Sequence, residues 1–226
     1  MSAADSAAAA AAAARRAAVP LADRPDLPAV LRTGHLGADR LELARGLAEH
    51  ALVLGDVVLS SGRSATYYVD AKRTVLRQPW FSLLGRLVAA EAARVGATAI
   101  GGMTMGADPV ACAGLAGTAE LAARGGGEVA GKAFFVRKES KAHGLQRRVE
   151  GPLLTAADRL LVVEDVTTTG GSTIKALDAL AEEGRTVVGV LTVLDRLAGG
   201  AQAIERHAGV PLTALVTIDE IYRDAT

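Results

Sequence analysis

Glu164 and Asp165 stand side by side directly after the apolar run Leu160-Leu161-Val162-Val163, and Val166, Thr167, Thr168, Thr169, Gly170, Gly171 and Ser172 follow. An apolar run of this length suits a strand buried on both faces of a parallel sheet. Ligands of such sheets bind beyond the carboxyl ends of the strands. Two neighbouring carboxylates there can accept hydrogen bonds from a cis-diol or face a divalent cation. The hydroxyls and backbone N–H groups after them suit a phosphate. The two glycines permit close backbone approach, and a helical pattern from Thr173 turns its N-terminus to the same loop, an anion site. The alternative is an ordinary strand-to-helix turn in which Ser172 caps the helix and the acids are solvated.

A second group is Arg137-Lys138-Glu139-Ser140-Lys141-Ala142-His143-Gly144, with Arg147 and Arg148 beyond. It follows a strand-like segment and has few apolar anchors. The pattern predicts either a solvated basic loop or a mobile lid that brings positive charge to a departing anion. A third is Leu194-Asp195-Arg196, at the end of another apolar run. A guanidinium there can pair with a carboxylate in bidentate fashion, or Asp195 and Arg196 can pair with each other. A fourth is Ser61-Gly62-Arg63, ahead of the strand-like Tyr67-Tyr68-Val69. By residue type alone the tyrosines fit any strand.

The string from Glu164 to Ser172 resembles the phosphoribosyl pyrophosphate signature of type I phosphoribosyltransferases. The resemblance implies that the two acids hold the ribose hydroxyls and that the loop holds the 5′-phosphate. Arg-Lys-Glu-x-Lys-x-His-Gly is similar to the catalytic loop of orotate phosphoribosyltransferases, which reaches into the neighbouring subunit's site. That implies pyrophosphate contacts from Arg137, Lys138, Lys141 and His143, with Lys141, His143 and Asp165 as catalytic groups, and a homodimer sharing the loop. The family's N-terminal hood motif is similar to residues 59–71, which sets Tyr68 and Val69 beside orotate, with Arg196 on its carboxylate and Thr168 nearby. Mg²⁺ is the implied cofactor, held mostly through substrate and water near Glu164 and Asp165. The implied reaction joins orotate to phosphoribosyl pyrophosphate, giving orotidine 5′-monophosphate and pyrophosphate, in UMP synthesis. Two lysines found in relatives are replaced here by Ser60 and Met105, and Lys72 or Arg73 is the candidate replacement for the missing charge. A purine phosphoribosyltransferase shares the ribose loop but has no need of a carboxylate-binding Arg196 or the basic pattern, and a non-catalytic nucleotide-responsive regulator keeps the loop without catalysis.

The elements that must position these groups alternate. Helical spacing begins after Asp39, a candidate N-cap. Strands are expected over 56–60 and 65–70, and Pro79 suits the first turn of a helix. Strands over 98–102, 132–136, 159–164, 186–194 and 212–218 are interleaved with helices over 108–123, 173–183 and 201–208, which predicts an α/β fold. With the resemblance, that becomes a type I phosphoribosyltransferase-like parallel sheet flanked by helices, with a small N-terminal hood over 39–75 and a core over about 76–222. The domain is expected over 39–226, behind a disordered alanine-rich tail and proline-bearing linker over 1–38.

The 226 residues contain 25 Lys plus Arg and 25 Asp plus Glu, so no global field draws the chain to nucleic acid or an anionic membrane. Cys112 is the single cysteine, which excludes an intramolecular disulfide, suits a reducing cytoplasm and is expected as a small buried residue. No stretch approaches the ~20 apolar residues of a membrane span. The basic residues Arg15 and Arg16 follow the alanine run, the reverse of a signal peptide.

Overall fold

The structure is a computed structural model that describes residues 24–58, 64–125, 130–139 and 148–222. After a 3₁₀ turn (Ala29–Leu31) comes α1 (Gly34–Gly46), extended by a π-helical segment to Ala51. The strands β1 (Leu52–Val58) and β2 (Ser64–Val69) pair antiparallel as a separate hairpin. Then come α2 (Lys72–Val75), α3 (Trp80–Val95), β3 (Ala99–Met103), α4 (Ala107–Ala123), β4 (Lys132–Val136), β5 (Val149–Glu150), β6 (Arg159–Thr167), α5 (Gly171–Glu182), β7 (Thr186–Asp195), α6 (Gly200–Ala208), β8 (Leu212–Thr217) and α7 (Ile218–Ile221).

The main sheet has the order β5-β4-β3-β6-β7-β8. All its pairings are parallel except the short β4–β5 pair. The alternating faces of β6 explain why its sequence is apolar without a break. Leu161 and Val163 pack with Ile100, Leu191, Val193 and the α3–α4 residues Leu84, Leu87, Val88 and Val110. Leu160 and Val162 pack on the other side with Phe134, Val190 and the α5–α6 residues Ala176, Leu177, Leu180 and Ile204. From β3 the chain passes outward to β4 and returns to β6 on the other side, so strand order reverses between β3 and β6. That reversal opens a crevice at the carboxyl ends of the two strands.

Three expectations are corrected. The first helix starts at Gly34, with Thr33 preceding it, so Asp39 is not a cap; its carboxylate instead accepts from Arg86 Nε at 2.7 Å. Leu27 and Leu31, assigned to the linker, are buried. Arg24 is tied to Glu220, and Arg40 reaches the same carboxylate at 3.0 Å, so the folded body includes these residues. Cys112 is exposed on α4. No helix among the described residues is long and apolar enough to cross a membrane.

Candidate active site

Strand β6 runs on to Thr167, so the acidic pair lies inside the strand and not after it. The reason is its pairing with β7, where Glu164 faces Thr192 and Thr167 faces Asp195. Both acids are buried. Glu164 accepts from Thr173 Oγ1 at 3.0 Å and from the Asp165 N–H at 3.2 Å. Burial first, and the neighbouring Asp165 second, hold the Glu164 carboxyl well above the ordinary carboxylate range. Asp165 accepts from the Val166 N–H at 2.8 Å and from Lys72 Nζ at 3.3 Å.

The loop after β6 borders a cavity of about 330 Å³ lined by Val166 through Thr173 with Glu164 and Lys175. Gly170 has φ +81°, and α5 begins at the next residue, two earlier than the helical pattern indicated. A side chain on Gly170 would also meet Gly200 O and Ile204 Cγ1, both at 2.9 Å, so loop and α6 are packed together. The hydroxyls divide by environment. Thr167 is buried and donates to Thr192 Oγ1 at 3.0 Å, which fixes the strand, whereas Thr169 and Ser172 are exposed.

A second cavity of about 200 Å³ adjoins the first at Glu164 and is lined by Lys72, Thr104, Met105, Gly106, Lys138 and Asp165 among others. Glu164, Val166 and Ser172 line both cavities. Gly106 closes on the acids so tightly that a Cβ there would lie 2.5 Å from Asp165 Oδ1 and 3.0 Å from Glu164 Oε1. Met105, on the cis Thr104–Met105 peptide, is 72% exposed and brings no charge.

Arg196 begins the loop after β7, with its N–H donating to Thr167 O at 2.9 Å. Its side chain does not pair with Asp195, which is buried and accepts from the Leu197 N–H at 2.9 Å. The guanidinium instead lies 4.5 Å from the Tyr67 ring centroid and donates to Tyr67 Oη at 3.3 Å. Tyr67 is buried, as is Val69 two residues on, whereas Tyr68 is 39% exposed. Period-two alternation in β2 puts Tyr68 on the opposite face, so the aromatic on Arg196 is Tyr67. Residue type could not separate the two tyrosines; the register of the hairpin does.

The basic segment begins where expected. Arg137 lies 3.7 Å from Glu150, its N–H donates to Arg148 O at 2.8 Å, and Arg148 Nε donates to Arg137 O at 3.2 Å. These contacts and the β4–β5 pairing bring the two ends of the segment together. Lys138 lines the second cavity. Lys141 and His143 lie outside the described residues, as do Ser60, Ser61, Gly62 and Arg63.

A doubly covered parallel sheet with paired acids and a glycine-bearing loop at its reversal point is shared with solved phosphoribosyltransferases of the type I class. No protein-family model matches the chain. The orotate phosphoribosyltransferase of Streptomyces avermitilis is 47% identical over 182 residues, covering 80% of this chain and 96% of that one. A crystal structure of the Mycobacterium tuberculosis orotate phosphoribosyltransferase with Fe(III) dicitrate superposes with a TM-score of 0.69 at 41% identity, over 81% of this chain and 99% of that one. The same enzyme in complex with 5-phospho-alpha-D-ribosyl 1-diphosphate gives 0.63 at 33% identity, over 82% and 92%. The chain belongs to the orotate phosphoribosyltransferase family.

Proposed function

We propose that this chain transfers ribose 5-phosphate from phosphoribosyl pyrophosphate to orotate, with one anionic end of the donor in each of the two cavities and the ribose over Glu164 and Asp165. The observation that carries this reading is the sharing of Glu164, Val166 and Ser172 between the cavities. A ribose bearing a phosphate at one end and a diphosphate at the other matches two adjoining cavities that share Glu164.

In this reading Glu164 and Asp165 accept hydrogen bonds from the ribose hydroxyls. Residues Val166, Thr167, Thr168, Thr169, Gly170, Gly171 and Ser172 hold the 5-phosphate, with backbone N–H groups and the α5 N-terminus as donors. Binding energy from that remote phosphate orients the anomeric carbon. A ring nitrogen of orotate gives up its proton and bonds to this carbon as the carbon–oxygen bond to pyrophosphate breaks; the bonding pair leaves with pyrophosphate, and the proton passes to pyrophosphate or to water. As the carbon gains cationic character, the neighbouring Asp165 carboxylate stabilises it. Arg137, Lys138, Lys141 and His143 neutralise the departing group, and their closure excludes water. Arg196 binds the orotate carboxylate, with Thr168 and the Tyr67–Val69 face of β2 beside the ring, which leaves out the expected Tyr68 on the opposite face. Tyr67 supports this role by holding the guanidinium from one side.

Mg²⁺ fits the donor set as a substrate-borne ion. Among the described residues no cluster of three or more His, Cys, Asp or Glu side chains could cage a metal. Mg²⁺ instead takes one or two carboxylates together with substrate phosphates, and Glu164 and Asp165 would hold it that way. When bound it would neutralise diphosphate charge. A cytoplasmic homodimer completes the reading, each protomer keeping Lys138 at its own site and lending the rest of its basic loop to the other; the family's motif at 137–144 supports the sharing.

Arg196→Ala tests the base assignment. The expected result is a rise of roughly 10- to 100-fold in KM for orotate, the range for losing a charged pair, with KM for phosphoribosyl pyrophosphate nearly unchanged. An unaltered KM for orotate would remove Arg196 from the site.

A further inference from the structure

The second cavity has to accept a polyanion, yet its lining contains both acids of the ribose pair. Among the described residues only Lys72 and Lys138 bring positive charge to it. Met105 brings none. Lys72 comes from a different direction than the basic segment, being the first residue of α2, directly after the hairpin. Its ammonium lies 3.0 Å from Asp70 and 3.3 Å from Asp165, and the side chain is 38% exposed. Burial depresses the Lys72 ammonium, but Asp70 and Asp165 more than offset this and hold its pKa above the ordinary value. The group is therefore a cation at neutral pH. Arg73, the other candidate for the missing charge, lies 3.8 Å from the other oxygen of Asp70 and does not line the second cavity; it lines a neighbouring one with Glu49, His50 and Arg77, which Lys72 also borders.

We infer that Lys72 is a diphosphate-binding residue, which neutralises Asp165 in the empty site and exchanges that carboxylate for diphosphate oxygens when the donor binds. A lysine suits this exchange. Its ammonium is a compact charge on a flexible stem with three donors, so it can keep Asp70 while turning from Asp165 to a phosphate. The exchange also frees Asp165 to accept from the ribose. The inference rests on the proposed placement of the donor across the two cavities, and it assigns the charge that Met105 does not supply.

The test is equilibrium binding of three probes, phosphoribosyl pyrophosphate with Mg²⁺, pyrophosphate with Mg²⁺, and ribose 5-phosphate, to wild type, Lys72→Met and Lys72→Arg. Lys72→Met should weaken both diphosphate-bearing probes by about 10- to 30-fold, the loss of one charge-assisted hydrogen bond, without weakening ribose 5-phosphate. Lys72→Arg should recover most of the loss. Equal weakening of all three probes in Lys72→Met would show that Lys72 merely shapes the acidic pair, and unchanged binding would show that the cavity's charge comes from elsewhere; either overturns the inference while leaving the reaction intact. Wild type that binds ribose 5-phosphate but neither diphosphate probe would overturn the placement of the donor as well.

Discussion

Gly106 has no side chain because the acidic pair occupies the space one would need. A methyl group there would sit 2.5 Å from one Asp165 oxygen and 2.9 Å from its Cγ, distances that force the carboxylate or the β3–α4 turn to move. The backbone conformation at Gly106 is ordinary helical, so the cost is one of position. Gly106→Ala should therefore fold with little change in melting temperature but raise KM for phosphoribosyl pyrophosphate at least tenfold, since displacing a reacting-site group by about 1 Å can cost about 100-fold. Steady-state kinetics beside a thermal melt would decide it; a normal KM would mean that the acids do not need their present positions. At this scale the sequence was informative about identity and silent about partners. The order of residues from Glu164 to Ser172 is unusual enough to indicate a ribose phosphate site. Nothing in the order could say that Thr167 bonds inside the sheet, that Tyr67 and not Tyr68 meets Arg196, or that Lys72 and not Arg73 reaches Asp165. Each depends on register or on a turn between elements.

The elements hold these residues by packing at the opposite edge of the sheet. Asp158, just before β6, is buried and accepts from Lys132 Nζ at 2.8 Å, the Thr155 N–H at 2.7 Å and Thr98 Oγ1 at 3.0 Å. It thereby ties the starts of β3, β4 and β6 together. The Lys132 bond first, and the Thr155 N–H second, hold its carboxyl far below the ordinary range. A carboxylate with a depressed folded-state pKa contributes stability above its unfolded value, about 3.9, and loses it as the pH falls toward the folded value. Asp158→Asn should cost roughly 2 kcal/mol at pH 7, the scale of charge-assisted hydrogen bonds. Its deficit relative to wild type should shrink as the pH drops below about 4. Urea denaturation at several pH values measures this, and a deficit that does not vary with pH would mean that the ionised form is not what matters. Element types were legible from periodicity, because β6 and β7 are apolar on both faces while α3 and α5 carry stripes. Ends were less so: β6 outran its apolar run because Val166 and Thr167 pair with Leu194 and Asp195, and α1 began early because Leu36 finds a buried site.

At the scale of the whole molecule, two helical layers and a hairpin converge on the crevice between β3 and β6. The hairpin brings Tyr67, α2 Lys72, β6 the acids, and the loop after β7 Arg196. The ends of the basic segment meet at β4 and β5. Neutral overall charge leaves the site's charges local, with Lys72 against Asp70 and Asp165 and Arg196 held by Tyr67. If the basic loop serves a neighbouring protomer, sedimentation should give a dimer, and a monomeric mass at full activity would confine each site to one chain. The reaction is tested most directly by following orotate absorbance in the presence of phosphoribosyl pyrophosphate and Mg²⁺, with released pyrophosphate counted in parallel. Loss of orotate matched one for one by pyrophosphate, with adenine, hypoxanthine and xanthine inert, is the predicted result. Orotate left unchanged while a purine base is consumed would contradict it.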